Sequence, residues 1–142
     1  MTISGDTVII GSPLDDDMGL DSGSVYIFVR REDGTWEEVQ KITPADGEAY
    51  DWFGSSVAIF GTTAIIGAKE DNERADGTRY GYVYTNIDGK WTENVKIVPE
   101  NGAAEDLFGY SVAISGSTAL FGALDAGEGN CGSAYVVDLR VP

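Results

Sequence analysis

Histidine is absent from this chain of 142 residues, and cysteine occurs once, at Cys131. The first absence removes the commonest general base and the commonest transition-metal ligand. The second excludes an intrachain disulfide and any multi-cysteine metal centre, so Cys131 reads as an incidental loop residue. Basic residues are also scarce: 9 Lys and Arg stand against 24 Asp and Glu, a net charge of −15. Nucleic-acid binding is disfavoured, because it depends on basic groups displacing counterions from phosphates. Solubility, cations or a basic partner are favoured instead. No apolar run reaches membrane-spanning length, so no membrane insertion is expected in this segment. The chain does not start with the basic-then-apolar pattern of a signal peptide. It is nevertheless 42% hydrophobic, enough for a globular chain with a real core.

What the chain has in abundance is itself. Gly11, Gly67 and Gly122 are spaced 56 and 55 apart, as are Gly5, Gly61 and Gly116. Phe53-Gly54 returns as Phe108-Gly109, Trp36 as Trp91, and Pro44 as Pro99. Residues 53–68 match residues 108–123 at 11 of 16 positions. A fixed period of this size implies an array of one supersecondary unit. The units run over about 1–51, 52–106 and 107–142 of one repeat domain, with the first and third incomplete. Met1 to Gly5 aligns with Val112 to Gly116, partway through a unit, so the chain reads as cut from a longer array.

Unit two divides into strands at 55–60, 63–68, 81–85 and 90–98, rich in Val, Ile, Tyr, Thr and Trp and bounded by Gly, Asp, Asn or Pro. No window has the 3.6-residue apolar spacing of a helix. Gly5, Gly61 and Gly116 mark the first hairpin turn, and Asp33-Gly34 and Asp88-Gly89 mark the second. The first two strands are apolar with small residues interleaved, whereas the fourth, Trp36 to Ile42 and Trp91 to Ile97, is wetter. An apolar-to-polar gradient across four strands fits a blade running outward from an axis. The expected fold is therefore all-β: three roughly 55-residue four-stranded repeats forming the blades of a partial β-propeller. A parallel β-helix is the runner-up, but its repeats are shorter and lack Asp-Gly hairpins. Glycine recurs where strand two leaves the blade. Gly67→Val and Gly122→Val are expected to be poorly tolerated, through close packing or positive φ.

Phe53-Gly54 with Gly67-Ala68, and Phe108-Gly109 with Gly122-Ala123, resemble the FG-GAP repeat of integrin α-subunit propellers and their short microbial relatives. Gly11-Ser12-Pro13 closes the first unit in the same way. The resemblance covers nearly the whole chain and implies the propeller fold, an extracellular or cell-surface location, and ligand binding on the long-loop face. Fold alone does not define function. The integrin-type calcium loop is not carried over. Ser4 to Thr7, Phe60 to Thr63 and Ser115 to Thr118 are too short to supply the 6–8 oxygens that calcium takes.

In a four-stranded meander, the two-to-three loops and the blade-to-blade links share one face. The spans 13–22, 44–51, 69–80, 99–106 and 124–131 hold 16 of the 24 acids. Their only basic residues are Lys69, Arg74 and Arg79. Such charge keeps a loop face solvated; it can also gather a cation. The candidate is Asp15, Asp17 and Asp21, alternating around Gly19 like the start of a calcium loop. The equivalent loops, Glu70 to Glu73 and Asp125 to Glu128, do not share its spacing. Calcium is thus the one cofactor considered. Asp51 and Asp106 read as turn caps, and Trp36 and Trp91 as packing residues. The kinase-like Asp-x-Phe-Gly string lacks its partner motifs. Tyr50, Trp52, Tyr80 and Tyr110 lie on or near the long-loop face and could stack on a sugar or peptide.

Three functional readings follow. The first is a non-catalytic binding or adhesion module presenting an acidic face to a protein, glycan or cation. The second is a structural segment of a larger surface or scaffold assembly. The least supported is a carbohydrate-active enzyme with paired carboxylates. Further propeller repeats or self-association are expected in each case, since propellers close with about 4–8 blades.

Overall fold

In the computed structural model, the described residues are 1–69, 80–99, 107–124 and 131–140. Among them the chain is all strand and connection. The strands are β1 (Thr2–Ser4), β2 (Thr7–Ser12), β3 (Ser24–Arg30), β4 (Trp36–Ile42), β5 (Phe53–Phe60), β6 (Thr63–Ala68), β7 (Tyr80–Ile87), β8 (Lys90–Ile97), β9 (Phe108–Ser115), β10 (Thr118–Ala123) and β11 (Ser133–Asp138). They form three antiparallel meanders in the orders β1-β2-β3-β4, β5-β6-β7-β8 and β9-β10-β11. These are the blades of a partial propeller. The first has a three-residue inner strand, and the third ends at its third strand.

The repeats share irregularities as well as strands. Register shifts between Phe53 and Ser56 and again at Phe108 and Ser111, where the inner strand enters its blade. It shifts between Ile27 and Phe28 and again between Val83 and Tyr84, skipping Val39 and Asn94 on the outer strands. Such bulges bend and twist a strand at a set point. The Gly5, Gly61 and Gly116 turns all have φ of 56–57°, in the left-handed region that glycine tolerates. The two Asp-Gly turns differ. Asp88 and Gly89 both have positive φ, as a two-residue hairpin requires. The β3–β4 connection is longer: Arg31 N–H donates to Thr35 O at 2.7 Å, and Asp33 Oδ1 accepts from Thr35 N–H at 2.9 Å.

The core lies between blades. One cluster joins Ile9, Val25, Ile27 and Ile42 of the first blade to Phe53, Ile66, Tyr82, Tyr84 and Trp91 of the second. Another joins Ala58, Ile65 and Val83 of the second to Phe108, Ala119 and Phe121 of the third. Each Phe-Gly phenylalanine is buried, facing the preceding blade. Phe53 meets Tyr82 edge-on at 5.2 Å, and Phe108 stacks on Phe121 at 5.0 Å. The glycine after it closes the joint. Gly54 lies over Gly11, and Gly109 over Gly67, so tightly that a Cβ on Gly11 or Gly67 would fall within 3.0 Å of a carbonyl of the neighbouring blade. Ser56 Oγ also donates to Gly109 O at 2.6 Å.

Neither Gly67 nor Gly122 has a positive φ, so of the two expected reasons only close packing is left. Packing separates them, however: Gly67 meets another blade's backbone, whereas Gly122 meets only Ser111 of its own blade. At the rim, the Gln40 amide forks onto the next blade, with Nε2 donating to Trp91 O and Oε1 accepting from Trp91 N–H, both at 2.8 Å. Trp91 is 3% exposed against the first blade, while Trp36, with no blade in front of it, is 42% exposed. The packing role expected of both tryptophans is thus filled only by Trp91.

Candidate binding face

Two connections on one face are knitted together. The loop between β2 and β3 accepts three backbone bonds from the link between β4 and β5. Tyr50 N–H donates to Leu20 O at 2.7 Å, Trp52 N–H to Asp21 O at 3.1 Å, and Phe53 N–H to Ser22 O at 3.0 Å. Asp21, Tyr50 and Trp52 all take left-handed backbone, at φ 53°, 70° and 50°. For bulky residues this is costly and must be held by the surroundings. Leu107 repeats Trp52 in this respect, at φ 53°. That conformation therefore serves the turn into Phe-Gly.

Among the described residues, Asp15 is the most heavily bonded acid on this face. Its carboxylate accepts from Ser24 Oγ, from Tyr26 Oη at 2.8 Å and from Ser12 Oγ at 3.0 Å, and lies 3.2 Å from Lys41 Nζ. The Ser24 and Tyr26 hydroxyls hold its pKa well below the usual carboxylate range. Lys41 also reaches Asp17 at 2.5 Å and lies 5.0 Å from the Tyr26 ring centroid. Its pKa is raised by Asp17 first, then by Tyr26 and Asp15. Asp21 stands apart, its N–H donating to Asp16 Oδ1 at 2.8 Å. So Asp15 and Asp17 converge on the chain's own ammonium. Among the described residues, no group of three or more Asp, Glu or Cys is placed to hold a metal ion.

Lys96 repeats Lys41 in the second blade. Each lies opposite a tyrosine on the neighbouring strand, Tyr26 or Tyr82. Lys96 pairs with Asp46 of the link and lies 3.4 Å from the Tyr80 ring centroid and 5.4 Å from that of Tyr82. Tyr82 Oη donates to Asp46 at 3.2 Å. Burial opposes ionisation of Asp46, but Lys96 and Tyr82 outweigh it and leave its pKa lowered. Asp51 caps the link by accepting from Glu48 N–H at 2.7 Å, and burial raises its pKa. Burial likewise raises Tyr82 and Tyr84.

The four aromatic candidates occupy three separate settings. Lys69 Nζ lies between the Trp52 and Tyr110 rings, 5.7 and 5.0 Å from their centroids. Trp52 Nε1 is buried with no hydrogen-bond partner among the described residues. Tyr80 belongs with Lys96 instead, and Tyr50 sits in the link. Lys41 and Lys96 were not among the sequence candidates, although their spacing of 55, beside a spacing of 56 for the tyrosines opposite, was a usable signal. Glu70 to Arg79, Glu100 to Asp106 and Asp125 to Asn130 lie outside the described residues, and with them the rest of the expected acidic face and the Asp106 cap.

The FG-GAP repeat profile matches residues 1–28, 36–85 and 91–137; the second and third stretches each begin on the outer strand of one blade and run into the next. The chain therefore belongs to the FG-GAP repeat family, whose repeats build propeller-type modules. No curated protein matches it. No helix among the described residues is long and apolar enough to cross a membrane.

Proposed function

We propose that this chain is a non-catalytic binding or adhesion module, extracellular or at a cell surface, that presents its loop face to a basic patch on a partner protein. One observation carries the reading. The bonded pair of connections brings Asp15, Asp16, Asp17 and Asp21 beside Asp46, Glu48 and Asp51. The lysines there are already engaged: Lys41 and Lys96 by carboxylates, Lys69 by two rings. The excess of carboxylates over lysines gives this face a net negative potential, which attracts a basic partner and speeds its approach, with strong dependence on salt. A calcium ion on Asp15 and Asp17 would have to displace Lys41, which favours a protein partner over a tightly held cation. The test is binding of the chain to a lysine-rich peptide and to a glycan array. The peptide should bind at low salt, lose affinity as salt rises, and weaken when Asp17 and Asp21 become Asn. Binding to neutral glycans alone would overturn the reading. A structural role in a larger assembly is the second reading, favoured by the apolar face that the third blade leaves exposed.

A further inference from the structure

Trp52, Lys69 and Tyr110 come from three separate places: the link before β5, the residue after β6, and the start of β9. They meet where the second and third blades adjoin. None of the three is what the repeat asks for. Leu107 stands where Trp52 does and takes the same left-handed backbone, φ 53° against 50°. The turn into Phe-Gly is therefore made as well by an aliphatic side chain. Ser55 stands where Tyr110 does, and Leu124 where Lys69 does. Hydrogen bonding does not explain the indole either. Trp52 Nε1 is buried with no partner among the described residues, which is a cost.

What the two rings hold is a cation. Lys69 Nζ lies 5.0 Å from the Tyr110 centroid and 5.7 Å from that of Trp52, both within the roughly 6 Å reach of a cation–π contact. No carboxylate of the described residues pairs with it. Yet the fit is loose. Lys96 shows how closely a primary ammonium packs on a ring, at 3.4 Å from the Tyr80 centroid. Methylating the nitrogen moves it outward by one C–N bond, about 1.5 Å, which brings contact to about 5 Å. That is the separation found at Tyr110. We propose that Trp52 and Tyr110 are the walls of a binding site for a small quaternary ammonium ion of the choline type, with the Lys69 ammonium as its resident stand-in. Ring faces attract such a charge without hydrogen bonds, which a quaternary nitrogen cannot donate. The net charge of −15 gathers cations at the surface. The same field opposes a phosphate attached to the ligand, which favours the free cation over a zwitterionic headgroup. The site is separate from the paired connections that carry Asp15 to Asp21 and does not rest on a basic protein partner.

Calorimetry with choline chloride at constant ionic strength measures binding to the intact chain, and tryptophan fluorescence follows the Trp52 ring. Choline should bind, and Lys69→Ala should tighten it several-fold, because the resident cation no longer competes for the slot. Trp52→Leu and Tyr110→Ser each copy the residue another repeat carries at that position, so both should keep the fold by circular dichroism. Each should weaken choline binding about tenfold, the loss expected for one ring of a desolvated cation–π contact. The uncharged carbon isostere of choline, dimethylbutanol, should bind about tenfold more weakly than choline. Phosphocholine should also bind less well. Tyr110→Ser should leave the binding of a lysine-rich peptide untouched, and Asp17→Asn with Asp21→Asn should leave choline binding untouched, so the two readings fail separately. The proposal is overturned if Lys69→Ala binds choline no better than the parent, or if either ring variant binds it as the parent does. It is also overturned if dimethylbutanol or phosphocholine binds as tightly as choline.

Discussion

Gly67→Ala and Gly122→Ala make one substitution at two repeat-equivalent sites with opposite expected outcomes. At Gly67 a Cβ falls within 3.0 Å of both the Gly109 carbonyl and Ser56 Oγ, where ordinary contact begins at 3.4 Å. The carbonyl belongs to another blade's backbone and cannot swing aside. Either the blades part, or Ser56 gives up its 2.6 Å bond to Gly109 O. Overpacking of this kind costs about 1–3 kcal/mol, and the lost hydrogen bond about 1 kcal/mol more. The sum, about 2–4 kcal/mol, is a large part of a domain stability of roughly 5–15 kcal/mol. At roughly 2–4 °C per kcal/mol, Tm should fall by about 5–15 °C.

At Gly122 the Cβ meets only the Ser111 side chain, which can rotate into solvent. Replacing a strand glycine by alanine also removes backbone entropy from the unfolded chain, a gain of about 0.5–1 kcal/mol. The net change should be near zero, within about 1 kcal/mol of either sign. Urea and thermal melts followed by circular dichroism measure both. Equal losses at the two sites would refute the blade-to-blade account of Gly67.

Gln40→Leu removes both bonds to Trp91 and leaves its N–H unpaired, costing about 1–3 kcal/mol; hydrogen exchange at the Trp91 amide should accelerate ahead of its neighbours. Asp15 has a folded pKa below its unfolded value. Its stabilisation is therefore fully present above about pH 3.9 and lost as pH falls toward the folded value. Asp15→Asn should melt lower at neutral pH, with the gap to the parent closing in acid. Asp51 carries the opposite sign: its raised folded pKa makes the ionised form a cost at neutral pH. Asp51→Asn, which keeps an acceptor for Glu48 N–H, should melt higher at pH 7 and equal the parent below about pH 3.5. Lys41→Met leaves Asp15 and Asp17 uncompensated. That variant should lose stability and recover it with calcium at about 1 mM or above, while the parent's melt does not respond.

The strands were legible because each unit combines runs of apolar and small residues with a glycine turn, and the first two units add an Asp-Gly hairpin. Four expected strand segments reappear within two residues at each end. Less legible was anything set by register across strands or by the presence of a neighbour. The bulges at Val39 and Asn94 leave no compositional mark, yet they help decide which side chains face one another. Tyr26 meeting Lys41 follows from register, and Lys41 meeting Asp15 follows from the path of a loop. Gln40 reaches a residue 51 positions away and reads in the sequence as one more polar outer-strand residue. Trp36 and Trp91 occupy the same place in the repeat and differ only in what stands in front of them. The loop candidates suffered most. Charge alternation brought forward Asp15, Asp17 and Asp21 together, but loop geometry gives the first two a lysine and leaves the third on a left-handed turn.

The glycine-to-carbonyl joint between blades also bears on how such a chain can change over generations. A contact that asks its neighbour for a main-chain oxygen, and for no side chain of particular shape, is indifferent to which copy of the unit provides it. Residues 53–68 and 108–123 differ at positions such as Phe60 and Ser115, yet both units dock by the same backbone approach. Recombination that duplicates or deletes a unit in phase would preserve this backbone contact at each joint, though not the Gln40–Trp91 fork. Blade number is then the cheapest property of the molecule to alter, and the loops carried on each blade are free to diverge while the axis is conserved.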